Sequence, residues 1–190
     1  QDSVKGKNFY FGHSRLSIIG LKEGGAKQPI YKKNKILVFN GEIYNYKDLS
    51  NELNENGYYD CGKSDTETLF NFIFHYGLKK TISKIDGMYA FGYFDLDKEE
   101  LSLVRDRIGE KPLYYSTGSN YFTFSSEIKS IFNSNLNNFS PNIDMFHEIF
   151  LHGKILGKKT AFKNIYEIEP GTFLKYKLRN QSYKIYDYWK

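Results

Sequence analysis

Helical periodicity is confined to the middle of this chain, with strand-like patterning on both sides of it. From Tyr46 to Asn54, the residues Tyr46, Leu49 and Leu53 recur at helical spacing, and Gly57 stops the run. In a second helix, Leu69, Phe70, Ile73 and Phe74 line one side. Ser64 and Glu67 form a capping box at its start, and Gly77 ends it. The flanking segments read differently. Lys7 to Ile19 alternates and then runs apolar, as a strand entering a core does, and Gly24-Gly25 marks a loop. Ile36 to Phe39 reads as a strand that Asn40-Gly41 breaks and Ile43-Tyr44 resumes. Strands are expected at Met88 to Asp95 and Leu101 to Arg105, and a hairpin at Leu113 to Ser116 and Tyr121 to Ser125. Short helices over Glu127 to Phe132 and Ile143 to His152 precede strands at Thr172 to Tyr176 and Tyr183 to Tyr186. Helices set between runs of strands argue for an α+β sandwich and against a doubly wound sheet.

A chain of 190 residues fits one domain over residues 1–190 with a sizeable core. Apolar runs such as Ile36-Leu37-Val38-Phe39 are far too short to span a bilayer, so no membrane partner is expected. The single cysteine, Cys61, cannot form an intramolecular disulfide, which favours a reducing cytoplasm. The net charge of +5 comes from scattered lysines within a broad tyrosine, asparagine, lysine and isoleucine bias, so no nucleic-acid partner is expected. His75, His147 and His152 are dispersed, and no metal site is expected.

Chemistry concentrates in three short stretches. Arg15 carries a planar fork that matches a carboxylate with two parallel hydrogen bonds. Asp65 falls in the first turn of a helix, where the positive helix end keeps it ionised, and it suits an amine; Glu42 is a second anion for the same role. Asn40 can offer its side-chain amide, and Gly41 its backbone N–H, to an oxyanion. Each has a plainer reading. Asn-Gly between apolar segments is the common hairpin signal, Asp65 a good helix-start residue, Arg15 an ion-pair partner and Glu42 a solvated strand position. Their joint occurrence favours the pocket.

Gly12 to Ile19, Phe39-Asn40-Gly41-Glu42-Ile43-Tyr44-Asn45 and Ser64-Asp65-Thr66-Glu67 together resemble the class II glutamine amidotransferase domain. More narrowly, they resemble the N-terminal glutaminase domain of glutamine-hydrolysing asparagine synthetase. The likeness continues through Ile85 to Phe91, Arg105 to Tyr115 and Ser125 to Lys129. It implies an N-terminal-nucleophile hydrolase fold, a four-layer αββα sandwich of two antiparallel sheets. It further implies cleavage of glutamine to glutamate and ammonia, which passes to an ATP-dependent synthetase domain of the same polypeptide. ATP and Mg belong to that domain, and no cofactor to this one. Carried over by residue, Arg15 would bind the substrate carboxylate, while Leu16, Ser17, Ile18 and Ile19 shape the pocket wall. Asn40 and Gly41 would form the oxyanion hole, and Glu42 and Asp65 would hold the amine.

The family's nucleophile is a cysteine at residue one, with its own α-amine as base. This chain opens with Gln1-Asp2-Ser3-Val4, so the resemblance implies that the first segment is missing and that the chain as given is inactive. Cys61, in Tyr59-Asp60-Cys61-Gly62-Lys63, has no free amine or histidine beside it to replace that nucleophile. Arg105 to Tyr115 reads as structural, with its arginines in ion pairs. The end of the chain, from Glu169 onward, resembles the seam to a synthetase domain, whose absence would leave an exposed aromatic patch. Aspartate is the default ammonia acceptor, and a homodimer stays open. The alternative is a non-catalytic module that binds glutamine or docks to a partner.

Overall fold

The computed structural model describes residues 2–14, 27–59, 64–134, 136 and 138–190. The chain opens with a hairpin, β1 (Asp2–Lys5) and β2 (Tyr10–His13), followed by β3 (Ile30–Lys32) and β4 (Lys35–Ile43). Next come α1 (Tyr46–Glu55), α2 (Asp65–Tyr76) and α3 (Leu78–Lys84). Then follow β5 (Gly87–Asp95), β6 (Glu100–Arg105), β7 (Tyr114–Thr117), β8 (Phe122–Ser125), α4 (Ile128–Phe132) and α5 (Asp144–His152). The last strands are β9 (Tyr166–Glu167), β10 (Thr172–Lys177) and β11 (Ser182–Asp187).

An antiparallel sheet in the order β11-β10-β6-β5-β4-β3 forms the centre. Successive side chains of a strand point to opposite faces, so an unbroken apolar run serves two cores at once. Leu37, Phe39, Ile43, Tyr89, Phe91, Val104 and Phe173 face the helices, where Leu49, Leu53, Leu69, Phe70 and Ile73 meet them. Ile36, Val38, Ala90, Phe94, Leu103 and Leu174 face the other way, toward Phe11, Leu113 and Tyr115. Each such side chain, fully buried, contributes roughly 1.5–3 kcal/mol. Gly92 permits close approach of the second layer, since a Cβ there would lie 2.8 Å from the Phe124 ring.

Among the described residues, that second layer consists of two antiparallel sheets, β1-β2 and β8-β7-β9, bridged by Phe11 and Phe124 with ring centres 5.7 Å apart. Helix α4 packs on β7 and β8, which gives the helix–sheet–sheet–helix order of the expected α+β sandwich. Ser64 caps α2 by accepting the Glu67 N–H at 3.3 Å, as its sequence predicts.

One expectation needs correction. Asn40-Gly41 does not break the strand: β4 pairs with β5 without interruption from Lys35 opposite Asp95 to Ile43 opposite Gly87. Gly77 ends α2 as expected, its N–H donating to the Ile73 carbonyl at 2.8 Å, and with φ 80° it turns the chain directly into α3. The later part of the strand expected through Ile19, the Gly24-Gly25 loop and Cys61 lie outside the described residues.

Candidate functional site

Among the described residues, the end of β4 is an edge. Strand β5 pairs along all of it, but β3 pairs only with Lys35, Ile36 and Leu37. Beyond Leu37, no strand among the described residues covers the other side. Antiparallel ladders alternate, so every second residue directs its N–H and C=O away from its partner strand. Phe39 is one of these: its N–H donates to Gln28 Oε1 at 2.7 Å, and its carbonyl meets His13 Nε2 at 3.1 Å. Ile43 is another, its N–H donating to Asp65 Oδ2 at 3.3 Å. Gly41 lies between them in the same phase. Its N–H faces the same edge, and no described side chain accepts from it. The facing Tyr89 turns its own backbone the other way, its carbonyl accepting the Asp106 N–H at 2.8 Å.

Two glycines make this end of the ladder. Gly41 has φ 142° and Gly87 has φ 150°. A Cβ on Gly41 would lie 2.1 Å from the Met88 carbonyl oxygen, and one on Gly87 would lie 2.1 Å from that of Glu42. Only glycine fits either position.

Around the edge, the structure brings together Asn40, Gly41, Glu42 and Asp65. Asn40 is exposed and Glu42 half-buried; two residues apart, they share the sheet face turned away from the helices. Asp65 does double duty at the start of α2, its Oδ1 accepting the Thr66 N–H at 2.7 Å while Oδ2 reaches Ile43. His13 is half-buried, its ring hydrogen-bonded to the Phe39 carbonyl. Arg15, Leu16, Ser17, Ile18 and Ile19 lie outside the described residues. The surroundings are anionic. The Tyr44 hydroxyl is held above its usual range, first by desolvation and then by the carboxylates of Glu110, Glu42, Asp86 and Asp106.

Beneath the site sits a buried staple. Asp106 is 1% exposed, and its carboxylate accepts backbone N–H groups from Ile108, Gly109 and Glu110 on Oδ1 and from Tyr89 and Lys111 on Oδ2. Arg105 holds the same loop by its carbonyls, donating to Lys111, Gly109 and Ile168, and pairs with Glu167 at 2.7 Å. Arg107 faces Asp86 at 3.6 Å. The stretch is structural, as expected, and it fixes β5 directly opposite Gly41. Gln28, Gly87 and Asp106 escape a reading for site residues. Gln28 precedes a proline, Gly87 follows an aspartate as turn glycines do, and only Asp106, three residues before a glycine, carries a local signal for a carboxylate-capped turn.

A recess of about 300 Å³ opens at the other end of the sheet, between β4–β6, β10 and the end of α2. Its charges satisfy one another, Lys35 pairing with Asp95 and Asp97, and Lys175 with Glu100. It is remote from Gly41 in register, and the open edge is the better candidate site.

Comparison with known proteins identifies the family. The family model for the glutamine amidotransferase domain matches residues 1–189, and the chain belongs to that family. A putative glutamine-hydrolyzing asparagine synthetase of Methanocaldococcus jannaschii is 33% identical, over 99% of this chain and 39% of the relative. A glutamine-hydrolyzing asparagine synthetase of Bacillus subtilis is 32% identical, over 94% of this chain and 29% of the relative. The chain therefore spans well under half the length of these curated relatives. Among solved structures, glutamine phosphoribosylpyrophosphate amidotransferase from B. subtilis superposes with a TM-score of 0.62 at 20% identity, covering 93% of this chain and 34% of that one. At that identity the likeness speaks for the fold.

Proposed function

We propose that this chain is the glutaminase domain of an asparagine-synthetase-like amidotransferase, cleaving glutamine to glutamate and ammonia. The observation that carries the reading is the Gly41 N–H, which lies on a strand edge open among the described residues, beside Asn40, while both flanking donors are capped by side chains. In this reading a thiolate attacks the side-chain carbonyl carbon of glutamine, and its C=O pair moves onto oxygen. The Gly41 N–H and Asn40 amide stabilise that oxyanion until the C–N bond breaks and ammonia leaves with a proton. Water then cleaves the thioester to release glutamate. Glu42 and Asp65 hold the substrate amine within the anionic surroundings, and Arg15 holds its carboxylate, with residues 16–19 as pocket wall.

In this reading the thiolate is that of the N-terminal cysteine that the resemblance implies. The ammonia goes to an ATP- and Mg-dependent synthetase domain of the same polypeptide, with aspartate as acceptor. We place the protein in the cytoplasm; no helix among the described residues is long and apolar enough to cross a membrane. The test is ammonia release from glutamine by the full gene product, before and after blocking of its N-terminal cysteine. Release abolished by the block supports the reading. Glutamine binding without release assigns a non-catalytic binding domain instead.

A further inference from the structure

The helices stop short of the sheet that they cover. At Gly77 the chain turns from α2 into α3, and a Cβ there would meet nothing within 4 Å. Beyond that turn the helix-facing side of the sheet changes chemistry. Phe39, Phe91, Val104 and Phe173 form an apolar row across four strands. Two residues along, the row reads Leu37, Tyr93, Ser102 and Lys175, and the next begins with Lys35, Asp95 and Glu100. All of these last two rows but Leu37 line the recess of about 300 Å³, and Ile73, Phe74 and Leu78 wall it on the helix side.

A solvated sheet end leaves its polar groups open to water. Here Tyr93 is 8% exposed and Ser102 is 4% exposed. The two lie directly opposite each other in register, and neither hydroxyl has a hydrogen-bond partner among the described residues. Buried hydroxyls are normally paired, and the recess is far roomier than one water needs, so the pair calls for a ligand's polar atoms. Burial, and then Asp95 and Asp97, hold the Tyr93 hydroxyl above its usual range, so it keeps a proton to donate.

We propose that this recess binds a neutral polyhydroxylated molecule of monosaccharide size, at a site separate from the open edge at Gly41. The surrounding charges choose that class. Lys35, Lys98 and Lys175 line the recess with Asp95, Asp97 and Glu100, so its net charge is zero. Lys35 pairs with Asp95 and Asp97, and Lys175 with Glu100. A charged ligand has to break one of these pairs and strand its partner in a half-closed site. A neutral ligand breaks none, because an ammonium has more protons, and a carboxylate more lone pairs, than one partner uses. Each hydroxyl of a polyol donates and accepts at once, which suits a floor of this composition. Its C–H faces suit Ile73, Phe74 and Leu78, and its size suits a recess at the lower end of the range for small-molecule sites.

The test is saturation-transfer NMR on the full gene product, with D-glucose, D-galactose, D-mannose and myo-inositol as probes. At least one is expected to give a saturable signal, with half-saturation on the order of a few millimolar. D-glucosamine, D-glucuronate and free L-serine, which are cationic, anionic and zwitterionic, are expected to bind at least about tenfold more weakly. Tyr93→Phe and Ser102→Ala remove only unpartnered hydroxyls, so the free variants should unfold within about 2 °C of the parent. Each should nevertheless weaken probe binding about fivefold to tenfold. No saturable signal from any of the neutral probes up to about 100 mM overturns the proposal and leaves the recess to water. So does a signal that both variants leave unchanged, or one that the charged or zwitterionic compounds match.

Discussion

Asn40 and Gly41 are neighbours with opposite physical demands. Asn40 is exposed and serves the fold little, so Asn40→Ala should leave stability within about 0.5 kcal/mol while lowering kcat about a hundredfold in the glutamine-hydrolysing protein. Urea denaturation and steady-state kinetics on one preparation check both halves, and unchanged turnover removes Asn40 from the oxyanion hole. Gly41 cannot be changed so cleanly. Its φ of 142° and the 2.1 Å approach of the Met88 carbonyl mean that Gly41→Ala must shift β4 against β5. A loss of about 1–3 kcal/mol is expected, together with loss of turnover. The two residue types are legible in the sequence. The direction of the Gly41 N–H is not, because it depends on which side of β4 the distant β5 occupies.

At the scale of elements, the loop after β6 is the part on which the site leans most. Asp106→Ala would strip one acceptor from five backbone N–H groups around a buried carboxylate. About 3 kcal/mol of stability should go with it, measured by urea denaturation. The cap of α2 is a smaller and local device: Ser64→Ala should cost about 1 kcal/mol. It also governs where Asp65 sits, and so the contact between α2 and the edge of β4. Loop and cap differ in legibility for the same reason that they differ in strength. The cap closes within four residues, whereas the Asp106 cluster gathers donors from its own loop and from β5.

The whole molecule responds to acid through groups spread over its helix-facing side. Burial disfavours the charged Asp95, but Lys35 and the Lys98 N–H outweigh it and hold the carboxyl below its ordinary value. Asp97 is lowered by Lys35 and Asn34, and Glu52 by Lys84. Each contributes stability that is present above the ordinary carboxylate range and lost as pH falls through its folded value. His75 is also lowered, by burial first and then by Lys33, so the unfolded chain takes up its proton sooner. Stability is therefore expected to be level from neutrality up to the lysine and tyrosine range, where the raised Lys35 and buried tyrosines make it fall again. On the acid side it should fall as pH drops below 6.5 and fall more steeply in the carboxylate range. His75→Phe, which keeps a ring against Tyr58, should abolish the upper part of that decline in pH-dependent thermal unfolding.

What the sequence determined by itself is whatever closes over a few residues: the capped α2, the stop after α1, the hairpin of β7 and β8, and the residue types gathered at 40–42 and 64–67. Those features rest on propensity, periodicity and turn chemistry, which neighbours in the chain settle between them. Tertiary structure decided the rest. Asn40-Gly41 carries hairpin chemistry, yet it runs straight, because pairing with β5 along nine residues outweighs a local turn preference. Gly77 ends α2 as the sequence predicts, but that α3 starts at once and buries Ile82 in the helix-side core is settled by packing. Among the described residues, the open edge at Gly41 exists because the pairing of β3 with β4 reaches only to Leu37 and because Gln28 and Asp65 cap the donors on either side. Such a site is made of pairings between segments far apart in sequence, and only the folded chain brings them into register.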